Sequence, residues 1–155
     1  MRFLGNIEAK TDIKGRVFLP SVFRKELRGG ETVSLVMRKD VFQPCLVLYP
    51  EDVWTAQTTL LRKRLSRWDS RQQSVFRQFV ADAELVTLDA SGRFLIPRRY
   101  LAMAGIERDV RFIGMDDSIE IWSAGRAASP FIDPSEFGTA IEEAMRDGDG
   151  AETGI

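Results

Sequence analysis

Short apolar runs, each bounded by turn-forming residues, dominate two stretches of the chain, and the runs come in the same order in both. Runs of this length between Gly, Pro, Asp and Ser residues predict β-strands. The predicted strands are residues 7–11, 17–19, 32–37 and 45–49, then 84–88, 94–96, 110–114 and 118–122. The predicted short helices are residues 21–28, before Gly29 and Gly30, and residues 98–104, before Gly105. The pattern indicates an α+β protein that is mainly β.

The second stretch repeats the first after a shift of 77 residues. Residues 12–20 (DIKGRVFLP) align with residues 89–97 (DASGRFLIP), so that Asp, Gly, Arg and Pro coincide and three apolar residues separate Arg from Pro. The alignment continues without a gap to Asp40 and Asp117, after which the first copy has about four additional residues near 41–44. Internal repetition of this kind predicts two copies of one supersecondary unit.

Each copy contains a loop in which an Asp precedes a Gly by three residues. The Asp side chain can close an Asx-turn, and the Gly can adopt a left-handed backbone conformation. We therefore expect a tight, shaped turn in each copy. The apolar runs that follow, at 17–19 and 94–96, are expected to be buried strands that end at a Pro.

Residues 51–82, between the two copies, have a helical pattern instead. Pro50 and the two acidic residues after it favour a helix start, and the next apolar side chains recur at a spacing close to 3.6. The residues of this stripe are Val53, Trp54, Gln57, Leu60, Leu61, Leu65 and Trp68. Ser70 and Gln73 are spaced as a capping box, which predicts the start of a second helix. The apolar residues expected to pack from it are Val75, Phe76, Phe79 and Val80.

The charges of the chain are unevenly distributed along it. The formal net charge of the whole chain is −1, but residues 133–155 have seven acidic residues and one basic residue, which leaves +5 on residues 1–132. A basic body with an acidic tail is typical of a protein that binds phosphate groups and has a separate solubilising segment. A chance imbalance on a solvated surface remains the alternative. For the basic residues of the predicted helix pair, solvated helix faces are the preferred interpretation; these are Arg62, Lys63, Arg64, Arg67, Arg71 and Arg77.

The composition disfavours several classes of chemistry. The absence of histidine removes Ser-His-Asp and Cys-His catalysis and the commonest zinc ligand. The single cysteine, Cys45, lies in an apolar run, where a buried and inert thiol is expected. Acidic pairs such as Glu51 with Asp52 and Asp116 with Asp117 lie at predicted element ends, where turn formation or helix N-terminal charge explains them. We therefore expect no enzyme, no metal site and no cofactor.

No apolar stretch approaches the roughly 20 residues that a membrane-spanning helix needs. The first residues, MRFLGN, have no apolar region of the kind that an export signal contains. The expected location is therefore the reducing cytoplasm, which fits the single cysteine.

The duplicated Asp-x-x-Gly-Arg motif, PCLVLYP at 44–50, the predicted helix pair and RFLIP at 93–97 together resemble the MraZ family. The resemblance extends over about residues 1–127. The chain is also similar to the wider group of AbrB-like swapped-hairpin domains, in which two halves intertwine into a small β-barrel. The resemblance implies two tandem AbrB-like repeats that form a pseudo-two-fold β-barrel, with a helix pair between the repeats. The implied divisions, within one compact domain, are a first repeat at 1–50, connecting helices at 51–82, a second repeat at 83–127 and an acidic tail at 128–155.

The resemblance also implies a transcriptional regulator of the bacterial division and cell-wall gene cluster. Such proteins assemble as homo-oligomeric rings and bind short direct repeats of double-stranded DNA, which implies association with the nucleoid. In this family the Asp-x-x-Gly-Arg loops face DNA. The residues that match are Asp12, Lys14, Gly15 and Arg16 in the first copy and Asp89, Gly92 and Arg93 in the second. Because Ser91 replaces the Lys of the first copy, we expect the second loop to be the weaker contact.

The chemistry of arginine suits such a loop. Its guanidinium group can contact guanine O6 and N7 together, while lysine and backbone amides hold phosphates. Alternatively, Arg16 and Arg93 pair with Asp12 and Asp89 and lock their own loops. The two roles are compatible, since an Asp can orient an Arg that still reaches DNA.

Two other function classes remain open. Antitoxin-like members of the swapped-hairpin group are protein-interaction modules, and an acidic C-terminal segment that occupies a partner would fit the tail at 128–155. A carboxylate-based hydrolase would need a cluster of carboxylates in a pocket. Two full repeats with a helical connector favour the DNA-binding regulator, which needs neither a membrane nor a small-molecule substrate as a partner.

Overall fold

The fold is a mixed α+β arrangement made mostly of antiparallel strands. The computed structural model describes residues 2–27, 34–125 and 129–151. The chain forms two compact units, Met1–Gly125 and Arg126–Ile155. The strands are β1 (Asn6–Lys10), β2 (Arg16–Phe18), β3 (Ser34–Lys39), β4 (Leu46–Pro50), β5 (Glu84–Thr87), β6 (Arg93–Leu95), β7 (Asp109–Gly114) and β8 (Ile119–Ser123). The helices are α1 (Ser21–Arg24), α2 (Glu51–Arg64), α3 (Ser70–Ala81), α4 (Arg98–Ala104) and α5 (Pro134–Ala151).

Hydrogen bonding interlocks the two halves of the first unit. The main sheet has the strand order β1-β7-β8-β4-β3-β5, and β2 pairs with β6 in a separate two-stranded ribbon. The first-half strand β1 pairs with β7 of the second half, and the second-half strand β5 pairs with β3 of the first half. The pair β4 with β8 and the ribbon also join the two halves. Neither half therefore forms this arrangement by itself.

The main sheet is open in the part of the chain that the structure describes. Its edge strands β1 and β5 each pair on one side, with β7 and β3, and do not pair with each other. The ribbon lies beside both edges, because β2 contacts β1 and β6 contacts β5 without joining the sheet. The closed pseudo-two-fold barrel implied by the resemblance is therefore not confirmed.

The strand register corrects the alignment of the two halves. Ile7 pairs with Phe112, and Glu84 pairs with Met37. Ile7 and Glu84 are 77 residues apart, whereas Met37 and Phe112 are 75 apart, so Met37 rather than Leu35 is equivalent to Phe112. The additional residues of the first half thus lie partly before β3 and partly after it. A shift of two residues is tolerated because it keeps every side chain on the same face of the sheet.

The main core combines inward-facing side chains from both halves. The largest fully buried side chains are Phe3, Leu19, Phe23, Leu35, Met37, Leu46, Leu48, Ile96, Tyr100, Phe112, Ile119 and Ile121. Phe23 of α1 and Tyr100 of α4 occupy matching positions of the two halves, and both are fully buried. Cys45 is also fully buried, as expected, and burial raises the pKa of its thiol. That environment disfavours the reactive thiolate.

The predicted helices agree with the structure to different extents. The prediction of a helix at 98–104 is confirmed by α4, and Gly105 follows it with a φ of +64°. The first short helix ends at Arg24 instead of extending to 28, and the predicted residues 28–30 lie outside the described residues. The prediction of a capping box that begins at Ser70 is wrong. The N-cap of α3 is Asp69, whose carboxylate accepts hydrogen bonds from the amides of Arg71 and Gln72.

The α2–α3 hairpin packs on the main sheet through the first turn of α2, and several of its other apolar side chains are exposed. Val53 and Trp54 contact a small buried cluster on the sheet, and the ring of Trp54 stacks on Phe79 of α3 with centroids 5.2 Å apart. Leu61 and Leu65 of the predicted apolar stripe are half-buried, whereas Trp68 at its end is 97% exposed. The other large exposed apolar residues of the hairpin are Leu60, Val75 and Val80.

The second unit contains α5, in a segment where the sequence pattern predicted no element. The carboxylate of Asp133 accepts hydrogen bonds from the amide and hydroxyl of Ser135, which lower the pKa of Asp133. Phe137, Ile141 and Met145 recur every four residues and are exposed. The described part of the acidic tail thus contains an amphipathic helix. No helix in the described ranges has the length and apolarity that a membrane span requires.

Candidate nucleic-acid interface

The loop at residues 11–15, which we call the first Asp-Gly loop, is organised by the carboxylate of Asp12. Its Oδ1 accepts hydrogen bonds from the backbone amides of Lys14 (2.9 Å) and Arg16 (2.8 Å), and its Oδ2 accepts one from Arg16 Nε (2.8 Å). The amide of Asp12 donates to the carbonyl of Arg16, and the amide of Gly15 donates to the carbonyl of Asp12. Gly15 has a φ of +91°, which explains why glycine stands there.

The second Asp-Gly loop, at residues 88–92, has the same construction. Asp89 Oδ1 accepts from the amides of Ser91 and Arg93, both at 2.9 Å, and its Oδ2 accepts from Arg93 Nε at 3.1 Å. The backbone bonds between Asp89 and Arg93 and between Gly92 and Asp89 repeat those of the first loop. Gly92 has a φ of +87°. The shaped turn predicted for each copy is therefore present in both.

These hydrogen bonds favour the ionised form of both carboxylates. The amide of Arg16 makes the largest contribution to lowering the pKa of Asp12, and partial desolvation opposes it. The amide of Arg93 has the same leading effect on the pKa of Asp89. At neutral pH each loop therefore contains a negatively charged carboxylate, which forms an ion pair with Arg16 in the first copy and with Arg93 in the second.

The two loops are joined directly at the ribbon. The amide of Leu19 donates to the carbonyl of Gly92, and the amide of Ile96 donates to the carbonyl of Gly15, each at 2.9 Å. The two bonds are equivalent, since each joins the end of one ribbon strand to the glycine of the other loop. The loops are consequently held in a fixed relation to each other.

The outer face of the ribbon consists of two arginines and two apolar residues. In the antiparallel register Arg16 lies opposite Leu95, and Phe18 lies opposite Arg93. Side chains alternate along a strand, so these four lie on one face and the buried pair Val17 and Phe94 lies on the other. The prediction of wholly buried strands at 17–19 and 94–96 is wrong for the middle residues, because Phe18 is 53% and Leu95 51% exposed.

Both arginines retain free hydrogen-bonding capacity. Nε of Arg16 and Nε of Arg93 bind the loop carboxylates, while their terminal amino groups make no hydrogen bond with any described residue. The Arg93 guanidinium also lies 5.8 Å from the centre of the Phe18 ring. The pairing that would lock each loop is thus present, and it leaves the outer edge of each guanidinium group for a ligand.

The surroundings of the first loop are also basic. A surface groove beside it is lined by Lys14, Arg98 and Arg108, together with Glu107 and Leu101. The apolar runs do not by themselves predict the exposed pair Phe18 and Leu95, but the two-residue alternation with Arg16 and Arg93 indicates that these four side chains share a face. The described residues contain no group of three or more His, Cys, Asp or Glu side chains arranged to hold a metal ion.

Comparisons with known proteins give the same family over most of the chain. The sequence model of one family, described as "MraZ protein, putative antitoxin-like", matches residues 2–76 and 79–126. A protein named "Transcriptional regulator MraZ" from Phocaeicola vulgatus is 62% identical over 145 residues, which cover 94% of each chain. The protein of that name from Bacteroides fragilis is 56% identical over 147 residues, covering 95% of this chain and 93% of the relative. The one from Christiangramia forsetii is 33% identical over 153 residues, which cover 96% of each chain.

Proposed function

The chain belongs to the MraZ family, and we propose that it is a sequence-specific DNA-binding transcriptional regulator. The observation that carries the proposal is the ribbon's outer face, on which Arg16 and Arg93 stand beside two rigid Asp-Gly loops. The names of the relatives support a role in transcriptional regulation, and the two arginines of the face supply groups that can bind DNA. The protein acts in the cytoplasm, in association with the nucleoid.

Each arginine contacts a base edge, and the loops position it. The terminal amino groups of Arg16 and Arg93 are suited to a bidentate contact with guanine O6 and N7 in the major groove. The ion pairs with Asp12 and Asp89 fix the guanidinium groups through Nε, so less side-chain entropy is lost when DNA binds. Lys14 binds a phosphate and holds the register. A two-stranded ribbon is narrow enough to enter the major groove.

Affinity for a promoter comes from several copies of the chain. One ribbon offers few phosphate contacts, whereas a homo-oligomeric ring presents identical ribbons to successive short direct repeats. The target is the promoter of the division and cell-wall gene cluster. The exposed apolar side chains of the α2–α3 hairpin, with Trp68 at the tip, support assembly of this kind.

The proposal is tested by substituting Arg16→Ala and measuring binding to two duplexes. One is taken from the DNA upstream of the gene cluster, and the other has a scrambled sequence of equal composition. Specific affinity should be lost for the first duplex, while weak binding to the scrambled one persists. Arg77→Ala is the matched control, because Arg77 is an exposed arginine on α3, outside the ribbon and its loops, and bonds only with Ser74 among the described residues. A folded Arg16→Ala protein with unchanged specific affinity would remove the proposal.

An antitoxin-like interaction module is the second candidate function. The description of the family model and the exposed apolar residues of α5 favour it. The two functions respond oppositely to removal of residues 133–155. An antitoxin-like module loses its function with the tail, whereas a regulator retains its affinity for DNA.

A further inference from the structure

Arg24 lies beside the second Asp-Gly loop in the place that Leu101 occupies beside the first. The two residues are 77 positions apart, the same separation as Gly15 and Gly92. A β-carbon built on Gly15 would lie 3.4 Å from Leu101 Cδ1, whereas one built on Gly92 would lie 2.5 Å from Arg24 Nη1. The equivalent positions of α1 and α4 thus place a guanidinium group at one loop and an aliphatic side chain at the other.

The guanidinium group of Arg24 packs directly on the backbone of the second loop. A β-carbon on Gly92 would also approach Arg24 Cδ to 2.7 Å and Cζ to 3.0 Å, so the side chain lies across the α-carbon of the glycine. Nη1 donates to the carbonyl of Ser91 at 3.4 Å. The charge of Arg24 is consequently held at the loop that carries Asp89 and Arg93.

No described carboxylate neutralises Arg24. Arg16 and Arg93 both form ion pairs, but Arg24 forms none with a described residue, and its Nε is buried without a hydrogen-bond partner there. An unpaired buried donor on a charged group costs free energy unless another contact offsets it. An external ligand cannot reach the buried Nε, so a balancing negative charge has to act on the terminal amino groups, for which the carbonyl of Ser91 is the partner among the described residues.

A charge count shows what Arg24 adds. When the arginine that follows each loop is counted with it, the first loop has Asp12, Lys14 and Arg16, which sum to one positive charge. The second loop has Asp89 and Arg93 with the neutral Ser91 between them, which sum to zero. Including Arg24 gives the second loop the same net charge as the first.

We propose that Arg24 is the phosphate-binding cation of the second loop, supplying from α1 the charge that Lys14 supplies within the first loop. The proposal rests on the DNA-binding function proposed above. A guanidinium group suits the task because it is planar, always charged and more weakly hydrated than an ammonium group. The first half of the chain thereby completes the DNA contact of the second half.

The test is the salt dependence of binding to random-sequence double-stranded DNA, because loss of one phosphate contact changes the slope of log affinity against log salt by about 0.9. Arg24→Leu copies the Leu101 beside the first loop and should reduce the magnitude of the slope by that amount for each subunit that contacts the DNA. Arg24→Leu with Ser91→Lys rebuilds the second loop as a copy of the first and should restore it. A purely structural role for Arg24 predicts no restoration by a lysine at 91.

Lys25→Leu is the matched control, since it removes a neighbouring exposed charge from the end of α1 and should leave the slope close to that of the wild type. Arg24→Gln, which keeps a polar stem, gives a second measurement, and thermal melting verifies that every variant is folded. An unchanged slope in the folded Arg24 variants, or no restoration by Ser91→Lys, overturns the assignment of Arg24 while wild-type binding still supports the proposed function. Absence of DNA binding by the wild type overturns both.

Discussion

Arg16 and Arg93 lie diagonally across the outer face of the two-stranded ribbon, although 77 residues separate them in the chain. Diagonal neighbours on such a pair of strands are about 7–8 Å apart. The two copies of the Asp-x-x-Gly-Arg motif therefore build one composite surface, not two distant ones. The cross-bonds from Leu19 and Ile96 to the glycines of the opposite loops make that surface rigid.

The first prediction is that Arg93→Ala costs about as much specific affinity as Arg16→Ala. Loss of a guanine contact is worth about 1–3 kcal/mol, and the two arginines have equivalent partners and exposure. The sequence alone predicts a weaker second loop because of Ser91, but Arg24 supplies charge there. Titration of both variants with the promoter duplex measures the two losses. Wild-type affinity in Arg93→Ala, with Arg16→Ala inactive, would contradict a shared surface.

The second prediction concerns the loop glycines. Gly15→Ala should destabilise the protein more than Gly92→Ala. Both glycines have positive φ, which costs an L-residue about 1–2 kcal/mol, but a β-carbon at 15 would lie 2.8 Å from the backbone carbonyl of Ile96. At 92 the nearest atoms belong to the end of the Arg24 side chain, which can move away.

Urea unfolding curves of the two alanine variants give the free energies of unfolding. The expected loss is about 1–2 kcal/mol for Gly92→Ala, from the backbone alone, and a larger loss for Gly15→Ala. Equal losses of unfolding free energy in the two variants would contradict this prediction, because they would mean that the backbone at Ile96 moves away from the new β-carbon as easily as the Arg24 side chain does. Gly125→Ala is a suitable control, because nothing lies within 4 Å of its β-carbon position and its φ is not in the left-handed region.

The third prediction follows from the lowered pKa values of Asp12 and Asp89. A carboxyl whose pKa is lower in the folded state binds more protons when unfolded, so its stabilisation is present above about pH 4–5 and is lost as the pH falls through the folded value. Asp12→Asn with Asp89→Asn should therefore lower the melting temperature at pH 7 and flatten its fall between pH 5 and pH 3. Parallel melting curves for wild type and variant over this range would be inconsistent with the role of the two carboxylates.

The sequence predicted the loops well because their chemistry is local. Asp12 and Gly15 act within five residues of each other, so a repeated Asp-x-x-Gly-Arg pattern was enough to predict both turns. The sequence indicates that Arg24 belongs to the basic surface near the loops, where phosphate contact and plain solvent exposure are both open, but it does not predict the contact with Gly92, because that contact depends on how the two halves interlock. Periodicity places the exposed Trp68 on an apolar stripe, because it shows which side chains share a face and not whether another element covers that face.

The fourth prediction concerns assembly. The α2–α3 hairpin exposes Leu60, Trp68, Val75 and Val80, a costly arrangement for a chain that stays alone. We expect a closed homo-oligomer of several subunits at micromolar concentration, since rings are the usual closed form of head-to-tail association. Light scattering coupled to size exclusion gives the mass. A strict monomer would contradict the ring, and Trp68→Ser should shift the mass downward if the hairpin forms the contact.

The last prediction is that removing residues 133–155 tightens DNA binding at low salt and leaves the first unit folded. This segment has seven acidic residues against one basic residue, so it repels phosphate or competes with it for the basic loops. The main core consists of residues of the first unit, so the melting temperature of that unit should change little. The gain in affinity should diminish as salt is raised, because the Debye length falls from about 30 Å at 0.01 M to about 10 Å at 0.1 M.

Glu142→Gln with Glu143→Gln is the control for charge alone, because it reduces the negative charge and keeps the exposed apolar residues Phe137, Ile141 and Met145 of α5. If charge is responsible, this variant should show part of the gain that the deletion produces. Weaker DNA binding or a smaller assembly after the deletion would have a different meaning. It would show that the apolar face of α5 packs against another surface, and the tail would then be an interaction element of the kind that the antitoxin-like alternative requires.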